Sequence, residues 1–149
     1  MAQRIVRVVD QPFDIAAETA TLELGAGTGA LVTFTGLCRD EGGMLATLEI
    51  EAYPEMAEAE IARVVDEAEQ RWPLDAIAVI HRYGHIRPGE AIVFVATASA
   101  HRTEAFHAAE FLMDYLKTRA PFWKKTHRSG GSGDWVAAKD DDEAAAARW

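Results

Sequence analysis

The stretch 76–121, AIAVIHRYGHIRPGEAIVFVATASAHRTEAFHAAEFLMDYLKTRAP, decides the fold. Residues 76–86 form a run rich in apolar and β-branched types and read as a strand. Arg87-Pro88-Gly89-Glu90 reads as a turn, and 91–100, AIVFVATASA, as a buried strand. Phe106, Ala109, Leu112, Met113 and Leu116 then recur at helical spacing, so an amphipathic helix is expected over about 102–118, stopped by Pro121. Strand, turn, strand and helix in that order predict a sheet with a helix laid across it.

The same grammar extends in both directions. Pro54 suits a first helical position, with Glu55 and Glu58 in the acid-favouring first turn. Ala57, Ile61, Val64, Val65, Ala68 and Trp72 make the apolar stripe of a helix over 55–71, and Pro73 ends it. Upstream, GALVTFTGLCR (29–39) and LATLEIEAY (45–53) flank a turn at 40–43 and predict a hairpin. RIVRVV (4–9) reads as a short strand. Residues 13–24 are ambiguous, with a short helix capped by Asp14 as one reading. Downstream, SGGSG (129–133) reads as a flexible loop, and the acids 140–143 can cap a short Ala-rich terminal helix. The order ββαββα predicts a two-layer α+β fold: a mixed or antiparallel sheet with helices on one face, as a single domain over 1–149.

Composition sets the outer bounds. The 149 residues are 49% hydrophobic and 26% charged, ordinary for a globular chain. One cysteine, Cys38, cannot close an internal bridge. No apolar run approaches the roughly 18 residues of a membrane span, and Met1 to Asp10 has no signal-peptide core, so a cytoplasmic protein is expected. A net charge of −9 excludes broad nucleic-acid binding. Against that charge, KTRAPFWKKTHR (117–128) carries Lys117, Arg119, Lys124, Lys125, His127 and Arg128 and no acid. A basic cluster on an acidic protein suits a local anionic ligand. A solvated basic turn at a helix end explains the same residues.

Three places can carry chemistry. Ser99-Ala100-His101-Arg102 joins a buried strand to a helix start, where outward N–H groups, a guanidinium fork and an imidazole favour an anion. A surface salt bridge and a boundary histidine are the plainer alternative. Lys117 lies one turn after Met113 at the edge of the apolar stripe, where partial desolvation favours a neutral amine able to move a proton. A lysine snorkelling at a helix C-terminus has the same spacing. Phe122 and Trp123, beside Lys124 and Lys125, either plug the core or hold a turn against a flat ligand. Arg39 ends a strand before a Gly-rich turn, and its neighbour Cys38 should face the opposite side as a structural thiol. With one cysteine, no HExxH, and His81 and His85 four apart in a strand, neither a metal nor a cofactor is expected.

VTFTGLCR, EAYPEM, VIHRYGHIRPGE, SAHRTEAFHAAEFLMDYLKTRAPFWKK and the terminal AAARW, taken in order, resemble the large catalytic subunit of molybdopterin synthase, the MoaE family. The resemblance runs from about residue 29 to the end and is most specific over 99–125. It implies an α/β hammerhead with an added antiparallel subdomain. It also implies a sulfurtransferase that moves two sulfurs onto cyclic pyranopterin monophosphate to form the molybdopterin dithiolene. The sulfur arrives as a thiocarboxylate on the C-terminal Gly-Gly of a small ubiquitin-like carrier of the MoaD type, in a heterotetramer built on a homodimer of large subunits. The implied substrate pocket takes Phe34, Leu37, Cys38, Arg39, Lys117, Lys124, Lys125 and Thr126, with His101 and Arg102 reaching it from the neighbouring subunit. Lys117 and Lys124 are the implied catalytic pair. Thr126 stands where the family often has Glu. Two other classes fit the same anion site: a phosphoester-processing or acyl-transfer enzyme working without a protein partner, and a non-catalytic module that binds a nucleotide-like ligand or a ubiquitin-like tail.

Overall fold

The computed structural model describes residues 2–43, 45–128, 133–136 and 140–149. Along the chain these form β1 (Gln3–Val9), α1 (Ile15–Ala20), β2 (Ala30–Leu37), a 3-10 turn (Glu41–Gly43), β3 (Leu45–Glu51), α2 (Pro54–Arg71), β4 (Ala76–Arg82), β5 (Gly84–Ile86), β6 (Ala91–Ser99), α3 (Arg102–Thr118), β7 (Trp123–Arg128), β8 (Gly133–Val136) and α4 (Asp140–Ala146). The Gly-rich loop expected over 129–133 lies, apart from Gly133, outside the described residues.

Two sheets replace the one expected. The first runs β1-β4-β6-β2 and is mixed, because β1 lies parallel to β4 while the other pairs are antiparallel. The second runs β5-β3-β7-β8 and is wholly antiparallel. Gly84 explains part of the division. Its φ of +85° is open to glycine and costly for other residues. The run 76–86 therefore breaks after Tyr83, leaves the first sheet and enters the second. The expected 29–39/45–53 hairpin divides the same way: β2 pairs with β6 and β3 with β5 and β7. The alternation in 45–53 is real, but it serves a different partner. Leu48 and Ile50 are buried with Cys38 and Ile86 in a small core of their own.

The main core lies where α2 and α3 cover the first sheet. Ala57, Ile61, Val64, Val65 and Ala68 of α2 pack there with Val79, Val93 and Val95. On α3 the buried face is Ala105, Ala108, Ala109, Phe111, Leu112, Tyr115 and Leu116. The expected stripe is thus rotated, and Phe106 stands 58% exposed. Small residues at 105, 108 and 109 let the helix sit close to the sheet, and Phe106 has no room on that side. Thr97 Oγ1 donates to Ala105 O at 2.6 Å, tying the first turn of α3 to β6. The opposite sheet face carries a third core of Ala78, Ile80, Phe94 and Ala96, covered by Phe13, Ile15 and Leu22. Helix α1 supplies Ile15 to that cover, and Asp14 caps it by accepting from the N–H groups of Ala16 and Ala17. No described helix is long and apolar enough to cross a membrane.

Candidate active site

Backbone clamps place Arg39. The turn after β5 reaches back to the end of β2, where Cys38 N–H donates to Glu90 O at 2.8 Å and Gly89 N–H donates to Cys38 O at 2.6 Å. Gly89 has φ +89°, which lets this tight turn close. Cys38 is buried at 3% exposure, and Arg39 faces outward. Just past the end of β2, the thiol is thus buried while the guanidinium is exposed, though both residues border the same cleft.

The end of α3 and the start of β7 bring the lysines together. Pro121 follows the helix, and the Phe122 ring then stacks on the buried His81 ring, with centroids 3.8 Å apart and planes 12° apart. That contact fixes where β7 begins. Register does the rest. Lys124 lies opposite Ile50 and Thr126 opposite Leu48, both inward-facing positions of the second sheet. Lys125 pairs with Glu49, on the outer face, and its ammonium lies over the Trp135 ring at 5.6 Å.

The result is a cleft of about 730 Å³ lined by Phe34, Leu37, Cys38, Arg39, Lys117, Lys124 and Thr126, with β2, β3, β6 and β8 residues completing its wall. Three cations face it, and none of its described lining residues is acidic. A narrow recess of about 40 Å³ continues inward past Lys117 and Lys124 to His81, Met113 and Leu116. A second cleft, of about 600 Å³, lies over the outer face between Tyr53, Tyr83, Trp123 and Trp135. Its charged lining is Glu49 and Glu51, the wrong sign for an anionic ligand.

Reading the sequence missed His81. Its Nδ1 lies 2.8 Å from Arg82 O, so the ring donates there. Burial depresses its pKa to about 3, and the charges of Lys124 and Lys117 push the same way, against the Arg82 bond. The ring is neutral at physiological pH. The only signal in the sequence was a histidine inside a run of apolar residues.

Three expectations for this region change. Lys125, expected in the pocket, points to the outer face and does not line the cleft. Lys117 is exposed in the single chain. Phe106, the first residue of the expected stripe, lies three helical turns away and is itself exposed, so it does not desolvate the Lys117 stem. His101 and Arg102 are exposed at the other end of α3. His101 takes the N-cap position without a side-chain cap bond. Fifteen residues at about 1.5 Å each put Arg102 roughly 22 Å along the helix from Lys117. One chain therefore does not bring this pair to the cleft.

Comparison with known proteins accords with this layout. Residues 8–119 match the family model described as MoaE protein. The molybdopterin synthase catalytic subunit of Mesorhizobium japonicum is 63% identical over 146 residues, 97% of this chain and 92% of that one. The solved MoaE protein of Burkholderia ambifaria superposes with a TM-score of 0.81 at 44% identity, covering 100% of this chain and 98% of that one. A chain from the Helicobacter pylori complex of subunits 1 and 2 of molybdopterin-converting factor shares the fold, with a TM-score of 0.68 at 18% identity over 90% of each chain. The chain belongs to the MoaE family of molybdopterin synthase catalytic subunits, enzymes of molybdenum cofactor biosynthesis.

Proposed function

We propose that the whole chain, 1–149, acts as one catalytic domain whose Arg39 cleft receives cyclic pyranopterin monophosphate and the thiocarboxylate tail of a small ubiquitin-like carrier. The observation that carries this reading is the charge of the cleft. Arg39, Lys117 and Lys124 share one cavity with no described acid in its lining. The substrate brings a cyclic phosphate and the carrier brings a thiocarboxylate, so cations must hold two anions side by side. Phe34 offers a ring for the flat pterin. The thiocarboxylate sulfur attacks a side-chain carbon of the pterin and displaces its oxygen substituent, which leaves with a proton. Water then attacks the resulting thioester carbonyl, and the carrier's C–S bond breaks to leave sulfur on the pterin and a carboxylate on the carrier. Lys117 moves the proton, and Lys124 neutralises the thiocarboxylate and the oxyanion that forms as the carbonyl carbon is attacked for release.

The cleft is completed by a second copy of the chain. β2 is an edge strand of the first sheet. It exposes Leu31, Phe34 and Leu37, and Phe106 of α3 is exposed as well. An unpaired apolar edge of this kind calls for cover. His101 lies beside the start of β2, where Gly29 N–H donates to Ser99 O at 3.0 Å, whereas Arg39 lies past its end. A two-fold axis across this edge runs the copies antiparallel, so one chain's His101 and Arg102 meet the other chain's Arg39 and Lys117. The Helicobacter pylori chain comes from a complex of subunits 1 and 2 of molybdopterin-converting factor, which supports a partner subunit for this chain.

The test mixes the protein with a thiocarboxylated Gly-Gly carrier and cyclic pyranopterin monophosphate and assays dithiolene. Turnover that needs no carrier would point to phosphoester or acyl chemistry instead. In the same assay Lys117→Arg should keep carrier and pterin binding but lose about 100-fold or more in turnover, since arginine cannot release its proton. Near-parental turnover would reduce Lys117 to an electrostatic anchor.

A further inference from the structure

On the outer face of the second sheet, three strands bring Glu49, His85 and His127 together. Glu49 of β3 lies directly opposite His85 of β5. His127 of β7 pairs with Thr47, two residues along from Glu49, so its ring is the diagonal neighbour of the carboxylate on the same face. His127 Nε2 is 2.8 Å from Glu49 Oε1, and His85 Nε2 is 4.0 Å from Glu49 Oε2. All three ligand atoms fall within 4.8 Å of one another. The rings of His85 and His127 stand 5.8 Å apart and tilted by 36° rather than stacked.

We infer that Glu49, His85 and His127 form a surface site for a divalent transition ion, with Zn2+ the best match. Two imidazoles and one carboxylate are a borderline donor set that suits zinc, cobalt, nickel and copper and disfavours magnesium and calcium, which take oxygen ligands. Zinc bonds of about 2.0–2.2 Å in tetrahedral geometry set ligand atoms about 3.3 Å apart. His127 is slightly closer than this to one Glu49 oxygen and His85 slightly farther from the other, so rotation of the Glu49 carboxylate and of the exposed His85 ring brings the three donors to one ion. The ion takes the place of the proton shared by His127 Nε2 and Glu49, and that proton moves to Nδ1. Three protein ligands leave a coordination position open to water or to an incoming donor. Lys125, paired with Glu49 on this face, lies over the Trp135 ring. The site is separate from the Arg39 cleft, because Lys124 and Thr126 of the same strand face the other way.

The experiment titrates ZnCl2 calorimetrically into the full chain after chelator treatment, alongside the His85→Ala/His127→Ala double variant and Glu49→Gln. The parent should bind one ion per chain and melt at a higher temperature with zinc present. The double variant should lose affinity by at least about 10-fold, a loss that even outer-shell changes reach, along with the thermal shift. Cobalt in place of zinc should give visible bands in the parent that vanish in the double variant. No heat in the parent, or zinc binding unchanged in the double variant, overturns the site. Should the double variant fail to fold, Glu49→Gln decides, because it preserves shape: weakened binding supports the site and unchanged binding overturns it.

Discussion

Acidification from pH 7 to pH 5 should cost this protein about 2 kcal/mol of stability through His81 alone. The folded ring titrates at about 3 because burial and the neighbouring Lys124 and Lys117 oppose its charge. An unfolded histidine titrates near 6.5. Below that value the unfolded chain takes up a proton that the folded chain refuses, so stability is flat above about pH 6.5 and falls as the pH drops towards 3. At pH 5 the unfolded site is one and a half units below its ordinary value. At about 1.4 kcal/mol per unit, that gives about 2 kcal/mol. Other groups also titrate in this window, so the variant His81→Asn supplies the reference. Asparagine keeps a side-chain N–H for the Arg82 carbonyl and does not titrate. Its packing cost is the same at both pH values and cancels in the comparison. Urea unfolding followed by tryptophan fluorescence at pH 7 and pH 5 should show a loss about 2 kcal/mol larger in the parent than in the variant. Equal losses would mean that His81 is solvated or already charged in the folded state, and the neutral-ring reading would be wrong.

Three further outcomes are expected. Glu90 accepts from the Arg87 N–H at 2.7 Å, and that bond, with help from the Arg82 and Arg87 charges, holds its pKa below the ordinary value. Its stabilisation is full above about pH 4.5 and lost as the pH falls through the lowered value, so Glu90→Gln should flatten the acid limb of a stability–pH profile; an unchanged limb would mean that the Glu90 carboxylate draws no stability from the Arg87 N–H. At Gly29 a Cβ would overlap the Ala100 carbonyl oxygen, so Gly29→Ala should cost about 1–3 kcal/mol, and a parent-like melting temperature would refute that crowding. The Trp149 ring meets Trp72 at 5.7 Å and Phe111 at 5.8 Å edge-on, and its indole N–H donates to Asp114. Being half-buried, it should cost about 2 kcal/mol on Trp149→Ala in urea unfolding, less than the ~3–5 kcal/mol of a fully buried ring, and a change below about 0.5 kcal/mol would show that the terminal helix is not anchored there.

What the sequence showed of the fold was what local chemistry decides. Pro54 and Pro73 bracket α2, and its five buried residues are those of the apolar stripe. Pairing was hidden, because alternation in 45–53 fixes which residues face inward and says nothing of the strand beside them. Gly84 sits within an apolar run, and only its positive φ shows that the chain changes sheets there. β7 was obscured because its inward residues are Lys124 and Thr126, so no apolar period marks WKKTHR as a strand. On α3, apolar residues fall on too many sides to choose the face, and alanines rather than Phe106 chose it. The Arg39, Lys117 and Lys124 trio came within reach through the ordered resemblance, whereas Glu49, His85 and His127 span 78 residues and meet only through strand register.

His81 shows why a buried polar residue suits the floor of this cleft. A lysine there would add a third close charge beside Lys117 and Lys124 and would need a partner that the recess does not offer. Phenylalanine would stack on Phe122 but leave the Arg82 carbonyl without the bond that His81 Nδ1 supplies. Neutral histidine meets both demands: one nitrogen satisfies the carbonyl, and the flat ring packs against Phe122 at 3.8 Å. Because its pKa lies near 3, the floor stays uncharged across the range in which ordinary histidines titrate. On the proposed reading, the charge offered to the two anionic ligands depends on Arg39 and the two lysines, and titration of His81 does not add to it on moderate acidification. A floor residue that did titrate near neutrality would add a positive charge as the pH fell and tighten the grip on any anion bound there. His81 thus links the docking of Phe122, just before β7, against β4 with the constancy of charge that the proposed exchange of anions in the cleft would require.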